Sequence, residues 1–295
     1  MSLIIILICL IAERFLLHKQ ALRQPVWFND YSDWYHRQEL PVWMRNGFGG
    51  VISLLLPPLL AVALLQQLFD DILAGLLGAL FACAVLLYSL GPNDLDQQIS
   101  HFIKARDEGD EQHARGVARD LLNDEPPPHD PAYSQAVAES ILIQANNRIF
   151  AVIFWFLVLG PIGALLYRLA SRLPLTRTAG EDIDFHLISR QLVSILDWIP
   201  ARITAFSYAI AGSFEDAMNG WRSYNETRFD EFSDSASGIL ICTGSGALRL
   251  ASVLDRNRDD TTHHLYLVEA AMSLVWRSLV VWGVMLGLFT FADWL

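Results

Sequence analysis

The sequence predicts an all-α fold: a polytopic helical membrane protein with short or broken helices and a soluble helical-hairpin loop. Three observations lead there. Hydrophobic residues make up 53% of the chain and charged residues only 18%, against roughly 25% charged in a typical soluble domain, and mean hydropathy is +0.32. The chain nevertheless carries 32 acids against 21 bases, a formal net charge of −11. Those two characters coexist by segregation, with apolar residues in runs and acids in loops. Finally, no stretch alternates as a strand would, and no internal repeat is present. This balance excludes a disulfide-stapled secreted scaffold, a disordered chain and a nucleic-acid binder, which needs a basic face.

The first apolar run reaches Leu17 and would be about 26 Å long as a helix, just short of a hydrocarbon core. It lacks the leading positive charge and small-residue cleavage site of a signal peptide. It is read as a short uncleaved span with Glu13 and Arg14 near its polar end. Phe48–Phe69 is an uncharged second span that Pro57-Pro58 should kink. Asp70-Asp71 turns the chain into a third, Ile72–Leu90, with Gly75, Gly78 and Ala79 as a close-packing face. Ile149–Ala170 is the fourth, broken at Gly160-Pro161. The fifth, from about Met272 to Leu295, carries Arg277 and the tryptophans Trp276, Trp282 and Trp294 as interfacial anchors. Leu187–Ala211 is apolar but interrupted by Arg190, Asp197, Pro200 and Arg202. It reads as two short helices broken at Pro200, re-entrant or interfacial. The resulting division is 1–90, 91–147 and 148–295. Loop arginines do not fix the orientation, because Arg23, Arg37 and Arg45 compete with Arg168, Arg172 and Arg177 for the cytoplasmic side.

Residues 91–147 hold eleven acids against four bases, a net −7. Leu95, Ile99, Phe102 and Ile103 form one helical stripe and Val117, Leu121 and Leu122 a second, so a helix pair turning at Gly109-Asp110 is expected. Pro126-Pro127-Pro128 ends it, and Asp130-Pro131 opens a helix toward the fourth span. The acids read as solvated helix faces. No nucleophile elbow, phosphate loop with its lysine, H-E-x-x-H or G-x-G-x-x-G occurs. Thr243-Gly244-Ser245-Gly246 lacks the lysine of a phosphate cradle and reads as close helix packing. His263 and His264 are adjacent and point apart on a helix, a poor metal pair. Cys9, Cys83 and Cys242 are far apart in sequence and read as small hydrophobes, with no metal site.

Several motifs resemble a known family. Glu13-Arg14, Tyr88-Ser89-Leu90-Gly91, Phe150–Phe156, Gly160–Leu169 and Asp197-Trp198-Ile199-Pro200-Ala201-Arg202 are similar to AmpE. That family of inner-membrane proteins is associated with β-lactamase regulation in Gram-negative bacteria. AmpE in turn looks related to the CobD/CbiB family, membrane enzymes that join an aminopropanol phosphate to adenosylcobyric acid in cobamide synthesis. The CobD/CbiB pattern E-S-V-A-E-N-T-S-D-G-V-V-A-P-L-F-W aligns without a gap on Glu139 to Trp155. Glu139-Ser140, Ala151 and Phe154-Trp155 agree. Ile143 stands in place of the second Glu, Gln144 in place of Asn, Asn147 in place of Asp and Arg148 in place of Gly. Trp198–Arg202 and Gly246-Ala247-Leu248 are also similar, whereas Leu122-Asn123-Asp124-Glu125-Pro126 replaces the family's Arg-Asp-Thr.

Those replacements carry a chemical implication. Amide formation with phosphate activation needs carboxylates that hold magnesium or move protons, and two are missing here. The expectation therefore leans away from an enzyme, with no catalytic residue, metal or cofactor assigned. The resemblance implies a multi-pass bacterial inner-membrane regulator of AmpE type, sensing a small anionic ligand. Partners would be the bilayer and a membrane or cell-wall-recycling protein. Candidate ligand contacts are Glu13, Arg14, Glu139, Asn146, Asn147, Arg148, Asp197 and Arg202. Each has a plainer role beside it: capping and anchoring for Asn146–Arg148, a salt bridge or helix ends for Asp197 and Arg202, mutual neutralisation for Glu13 and Arg14. The alternative is a membrane-bound synthase of CobD/CbiB type with altered substrate, using Glu139, Asp197 or the acidic loop.

Overall fold

A computed structural model describes residues 5–10, 26–38, 41, 47–70, 76–90, 92–128, 130–173, 183–227, 235–250 and 261–292. Among them every regular element is helical. After a helical stretch at 5–10 come α1 (Val26–Arg37), α2 (Gly47–Asp70), α3 (Leu76–Ser89), α4 (Pro92–Asp107), α5 (Glu111–Leu122) and α6 (Asp130–Ala145). A π-helical turn (Asn146–Phe150) leads into α7 (Ala151–Leu159), followed by α8 (Pro161–Ala170), α9 (Ile183–Ala211), α10 (Phe214–Thr227), α11 (Ser235–Ala247) and α12 (Thr261–Ala292). The chain divides into two compact units, Met1–Gly91 with Ala151–Asp197, and Pro92–Phe150 with Trp198–Leu295.

Among the described residues three helices are long and apolar enough to cross a membrane: Gly47–Phe69, Ala132–Leu159 and Leu265–Thr290. The second corrects the expected register of the fourth span. Gly160 adopts φ 68°, a left-handed conformation open to glycine, and Pro161 occupies the first turn of α8, so the apolar helix stops at Leu159. That apolar helix begins at residue 132, within the 91–147 segment. Of its polar residues, Ser134, Ser140 and Asn146 are buried, and Gln135, Glu139, Gln144, Asn147 and Arg148 are half-buried. Leu76–Ser89 is an apolar helix of 14 residues, and the first residues of the expected third span, Ile72 to Gly75, lie outside the described residues.

In the first unit α2 runs unbroken through Pro57 and Pro58. Phe48, Ile52, Leu56, Leu60, Leu64 and Leu68, spaced four apart, are exposed along one side. On the other side Val51, Leu54 and Leu55 pack with Phe28 and Tyr35 of α1, Leu165 and Leu169 of α8, and Phe185 of α9. Trp27 donates from Nε1 to the Tyr88 hydroxyl at 2.5 Å, and the Tyr35 and Ser53 hydroxyls share a hydrogen bond. Cys9 and Cys83, 74 positions apart, bring their Sγ atoms to 3.0 Å without a disulfide.

The expected break at Pro200 is corrected: α9 is one helix of 29 residues with Pro200 inside it. A helical proline leaves the carbonyl four residues earlier without its N–H donor. That carbonyl belongs to Leu196, and Trp155 Nε1 donates to it at 3.1 Å. The indole thus satisfies the group that proline orphans, and the helix need not end there. Trp155→Phe is expected to destabilise the fold by about 1–3 kcal/mol, the usual cost of a buried orphaned acceptor. In a Pro200→Ala background, where the substituted residue supplies the missing N–H, the same change should cost clearly less. Thermal unfolding of the four proteins in detergent checks this; equal losses in both backgrounds would refute the pairing.

In the second unit α4 and α5 form the expected hairpin. Gly109 has φ 75° at the turn, and Asp110 caps α5 by accepting from the His113 N–H at 3.0 Å. Leu95, Ile99 and Phe102 are buried with Ala114, Ala118 and Leu121, and the acids lie outside that seam. α10 packs on α11 at glycine-mediated distance: a Cβ on Gly246 would lie 2.4 Å from Asp216 O. This supports packing as the role of Gly244 and Gly246. At the corner, hydrogen bonds from Ser213 and Arg249 hold the Asp216 carboxyl below the usual carboxylate range. α12 and α6 pack against each other along the span.

Candidate functional site

The polar residues of the motif lie on α6 and the π turn. Glu139, Ile143 and Asn147, four residues apart, share one helical stripe, and all three are half-buried. Glu139 Oε1 accepts from Gln135 Nε2 at 2.7 Å; no other partner for its carboxylate is present among the described residues. The π turn at Asn146–Phe150 widens the helix at the end of this stripe and contains Asn147. Such single π turns recur at functional positions because they re-aim side chains and loosen backbone bonding.

Asn146 is fully buried. It accepts from Thr204 Oγ1 at 3.1 Å and donates from Nδ2 to Asn147 Oδ1 at 3.2 Å. Arg148 donates through Nε to Gln144 Oε1 at 3.0 Å and through Nη1 to Gln98 Oε1 at 3.1 Å, while Gln144 Nε2 donates to Leu121 O at 3.0 Å. Gln98, Gln144 and Arg148 therefore tie the hairpin to α6. Tyr208 adds a hydroxyl bond to Leu142 O at 2.9 Å. Asn146→Leu is expected to cost about 1–3 kcal/mol, because the buried Thr204 hydroxyl loses its acceptor. Adding Thr204→Val should recover part of that loss in thermal unfolding.

The remaining candidates do not join this group. Asp197 is buried and accepts from Tyr167 OH at 2.5 Å. The Arg202 guanidinium lies 3.9 Å over the Trp198 ring centroid and donates to Trp198 O at 2.9 Å. The salt bridge weighed for Asp197 and Arg202 does not form; tyrosine and tryptophan hold them separately. Glu13 and Arg14 lie outside the described residues. No group of three metal-ligating side chains occurs among the described residues. A surface recess lined by Asp110, His113, Arg119 and Asp120 sits on the hairpin and includes no candidate. Gln98, Gln135, Tyr167 and Thr204 were missed in the sequence because single polar residues in apolar or mixed helices carry no local signal. Gln135 alone stood four residues before Glu139, a spacing that places both on one face.

The chain matches the CobD/Cbib protein family over residues 6–252. It belongs to the CobD/CbiB family. Among its curated relatives, the cobalamin biosynthesis protein CobD of Chromobacterium violaceum is 34% identical over 213 residues, covering 70% of this chain and 65% of the relative. The protein of the same name from Stutzerimonas stutzeri is 29% identical over 179 residues, covering 55% of each. The one from Brucella anthropi is 26% identical over 278 residues, covering 83% of this chain and 82% of its own length. The chain thus spans less than two thirds of the first two relatives. No solved structure matches it.

These matches correct the regulatory reading. The likeness to AmpE gains no support from them, and with it falls the assignment to β-lactamase induction or cell-wall stress sensing. The CobD/CbiB family instead gives the stripe on α6 its frame. Where the motif that Glu139–Trp155 resembles has acids at 139, 143 and 147, this chain has Glu139, Ile143 and Asn147. With Arg148 in place of glycine, the site is less negative by two charges and more positive by one.

Proposed function

We propose that this chain is a membrane-embedded amide-forming enzyme of the CobD/CbiB type, acting in corrinoid synthesis in a bacterial inner membrane on an altered substrate. The observation that carries it is the family match through residues 6–252, which contains the whole motif stripe. The relatives' shared name, cobalamin biosynthesis protein CobD, supplies the pathway. Joining a carboxylic acid to an amine releases water and is uphill in aqueous solution. A nucleoside triphosphate makes it favourable: the carboxylate oxygen attacks the γ-phosphorus, giving an acyl phosphate and a nucleoside diphosphate. The amine nitrogen then displaces inorganic phosphate and loses a proton.

Glu139 is the residue assigned to that proton. It is half-buried and positioned by Gln135, as a general base must be. Asn147 and Arg148 lie beyond it along the helix, where donors suit an anionic phosphate or carboxylate. Ile143 narrows the site to an apolar contact where the family places an acid. The altered substrate is an amino alcohol, or its phosphate, whose anionic group binds without the second and third carboxylates.

Purified protein in nanodiscs is given a corrinoid carboxylic acid, magnesium nucleoside triphosphate, and a series of amino alcohols and their phosphates. The expected result is release of inorganic phosphate with a corrinoid product heavier by the amine less water. Ile143→Glu with Asn147→Asp should shift preference toward aminopropanol phosphate. No product with any member of the series, from protein that stays folded, would sink the proposal.

A further inference from the structure

We infer that α9 crosses the bilayer as a fourth long span, with its exposed face in contact with lipid hydrocarbon. Its polarity is inverted relative to a helix on a water-soluble protein. From Ile195 onward the strongly exposed residues are Ile195, Trp198, Ile199, Ile203, Phe206 and Ile210. All fall within one side of the helix, as 3.6-residue periodicity requires. Its polar groups point the other way. Asp197, Thr204, Ser207 and Tyr208 are each buried. Every one is satisfied: Asp197 by Tyr167 OH, Thr204 by Asn146 Oδ1, Ser207 by Ile203 O and Tyr208 by Leu142 O.

Hydrocarbon demands this arrangement and water does not. In lipid each polar group must find its partner inside the protein, whereas apolar side chains have no reason to hide. The same requirement explains why the carbonyl freed by Pro200 is capped by Trp155. Arg202 is the one charge on the exposed side, half-buried, and its guanidinium lies over the Trp198 ring and bonds the Trp198 carbonyl, so its charge is met within the protein. Exposed Arg190 and Gln191 precede the apolar stretch, and Ser213 and Glu215 follow it. Between them residues 192–211 form a helix of about 30 Å, the thickness of the hydrocarbon core. Asp197 and Arg202 within it keep α9 from standing out by hydropathy alone.

The experiment places single cysteines at 191, 199, 203, 206 and 213 (Gln191→Cys, Ile199→Cys, Ile203→Cys, Phe206→Cys, Ser213→Cys) in the full chain. Cys9, Cys83 and Cys242 are replaced by alanine. Should that background fold poorly, the native cysteines are kept and labelling of the unsubstituted protein is subtracted. A membrane-impermeant maleimide is applied to right-side-out and inverted membrane vesicles. Nitroxide labels at 199, 203 and 206 are then tested for collision with molecular oxygen and with a water-soluble nickel chelate. The expected result is reaction of 191 and 213 from opposite sides, with the three central labels reached by oxygen and not by nickel. Reaction of both ends from one side would overturn the crossing. Nickel access at the centre would put the face in water, and access by neither reagent would put it against protein; either result also overturns the inference.

Discussion

Glu139→Gln is expected to lower turnover by about 10²–10⁴-fold, the range that a lost general base produces. The change keeps the shape and the contact with Gln135 but removes the group that accepts the amine proton. It should act on kcat with little change in KM, because an amide at 139 still fills the site while failing in the transition state. Glu139→Asp retains the charge on a shorter arm and should fall between the two. No neighbour on the stripe can compensate: Ile143 has no proton acceptor, and Asn147 is a neutral amide that already accepts from Asn146. Steady-state rates of phosphate release, compared at matched thermal stability, check the prediction. Undiminished turnover in Glu139→Gln would remove the residue from the chemistry while leaving the family assignment intact.

Gly220→Leu is expected to be the most damaging single change to the fold. A Cβ there would stand 2.2 Å from Cys242 O, and at Gly212 it would stand 2.7 Å from Ala247 Cβ and Ala247 O. A side-chain neighbour could rotate away, but backbone atoms cannot, so α10 and α11 would have to separate along their whole contact. The loss should lie at or above the top of the 1–3 kcal/mol typical of overpacking, about 3 kcal/mol or more. Gly116→Ala in α5 is the matched control. Nothing lies within 4 Å of a Cβ at that position, and alanine restricts the unfolded chain, so a gain of about 0.5–1 kcal/mol is expected. Thermal unfolding in nanodiscs with both variants tests the packing argument. Equal melting temperatures for Gly220→Leu and the parent protein would refute it.

The ends of the fourth span show where reading along the chain succeeds. Gly160-Pro161 marks a helix break because a left-handed residue followed by a proline at the first helical turn is a local, residue-specific stop. The hairpin at Gly109-Asp110 is equally local, with two apolar stripes and a capping aspartate. Pro200 shows the limit. By itself proline argues for a break, and the contrary result depends on a tryptophan 45 positions earlier reaching the carbonyl of Leu196. Cys9 and Cys83 make the same point from the other side: distant in sequence, in contact in space.

The candidate site divides along the same line. The gapless match from Glu139 to Trp155 made the α6 stripe legible, because side chains four residues apart on a helix must share a face. The partners that hold it were not legible. Gln98 and Thr204, which bond the neighbouring Arg148 and Asn146, come from other helices, and their role rests on how those helices pack. The likeness to AmpE implies regulation, whereas the family match through residues 6–252 places the chain in the CobD/CbiB family.

Composition and periodicity were enough to determine an all-helical membrane protein and an acidic hairpin, and spacing placed residues 139, 143 and 147 on one stripe. Each follows from near neighbours along the chain and from the segregation of apolar and charged residues. Tertiary structure decided the bounds of the apolar helix ending at Leu159, the continuity of α9 and the partners of Asn146, Asp197, Thr204 and Tyr208. Those outcomes turn on hydrogen bonds that close between helices, and a buried donor or acceptor must be satisfied by whichever group packing brings within reach.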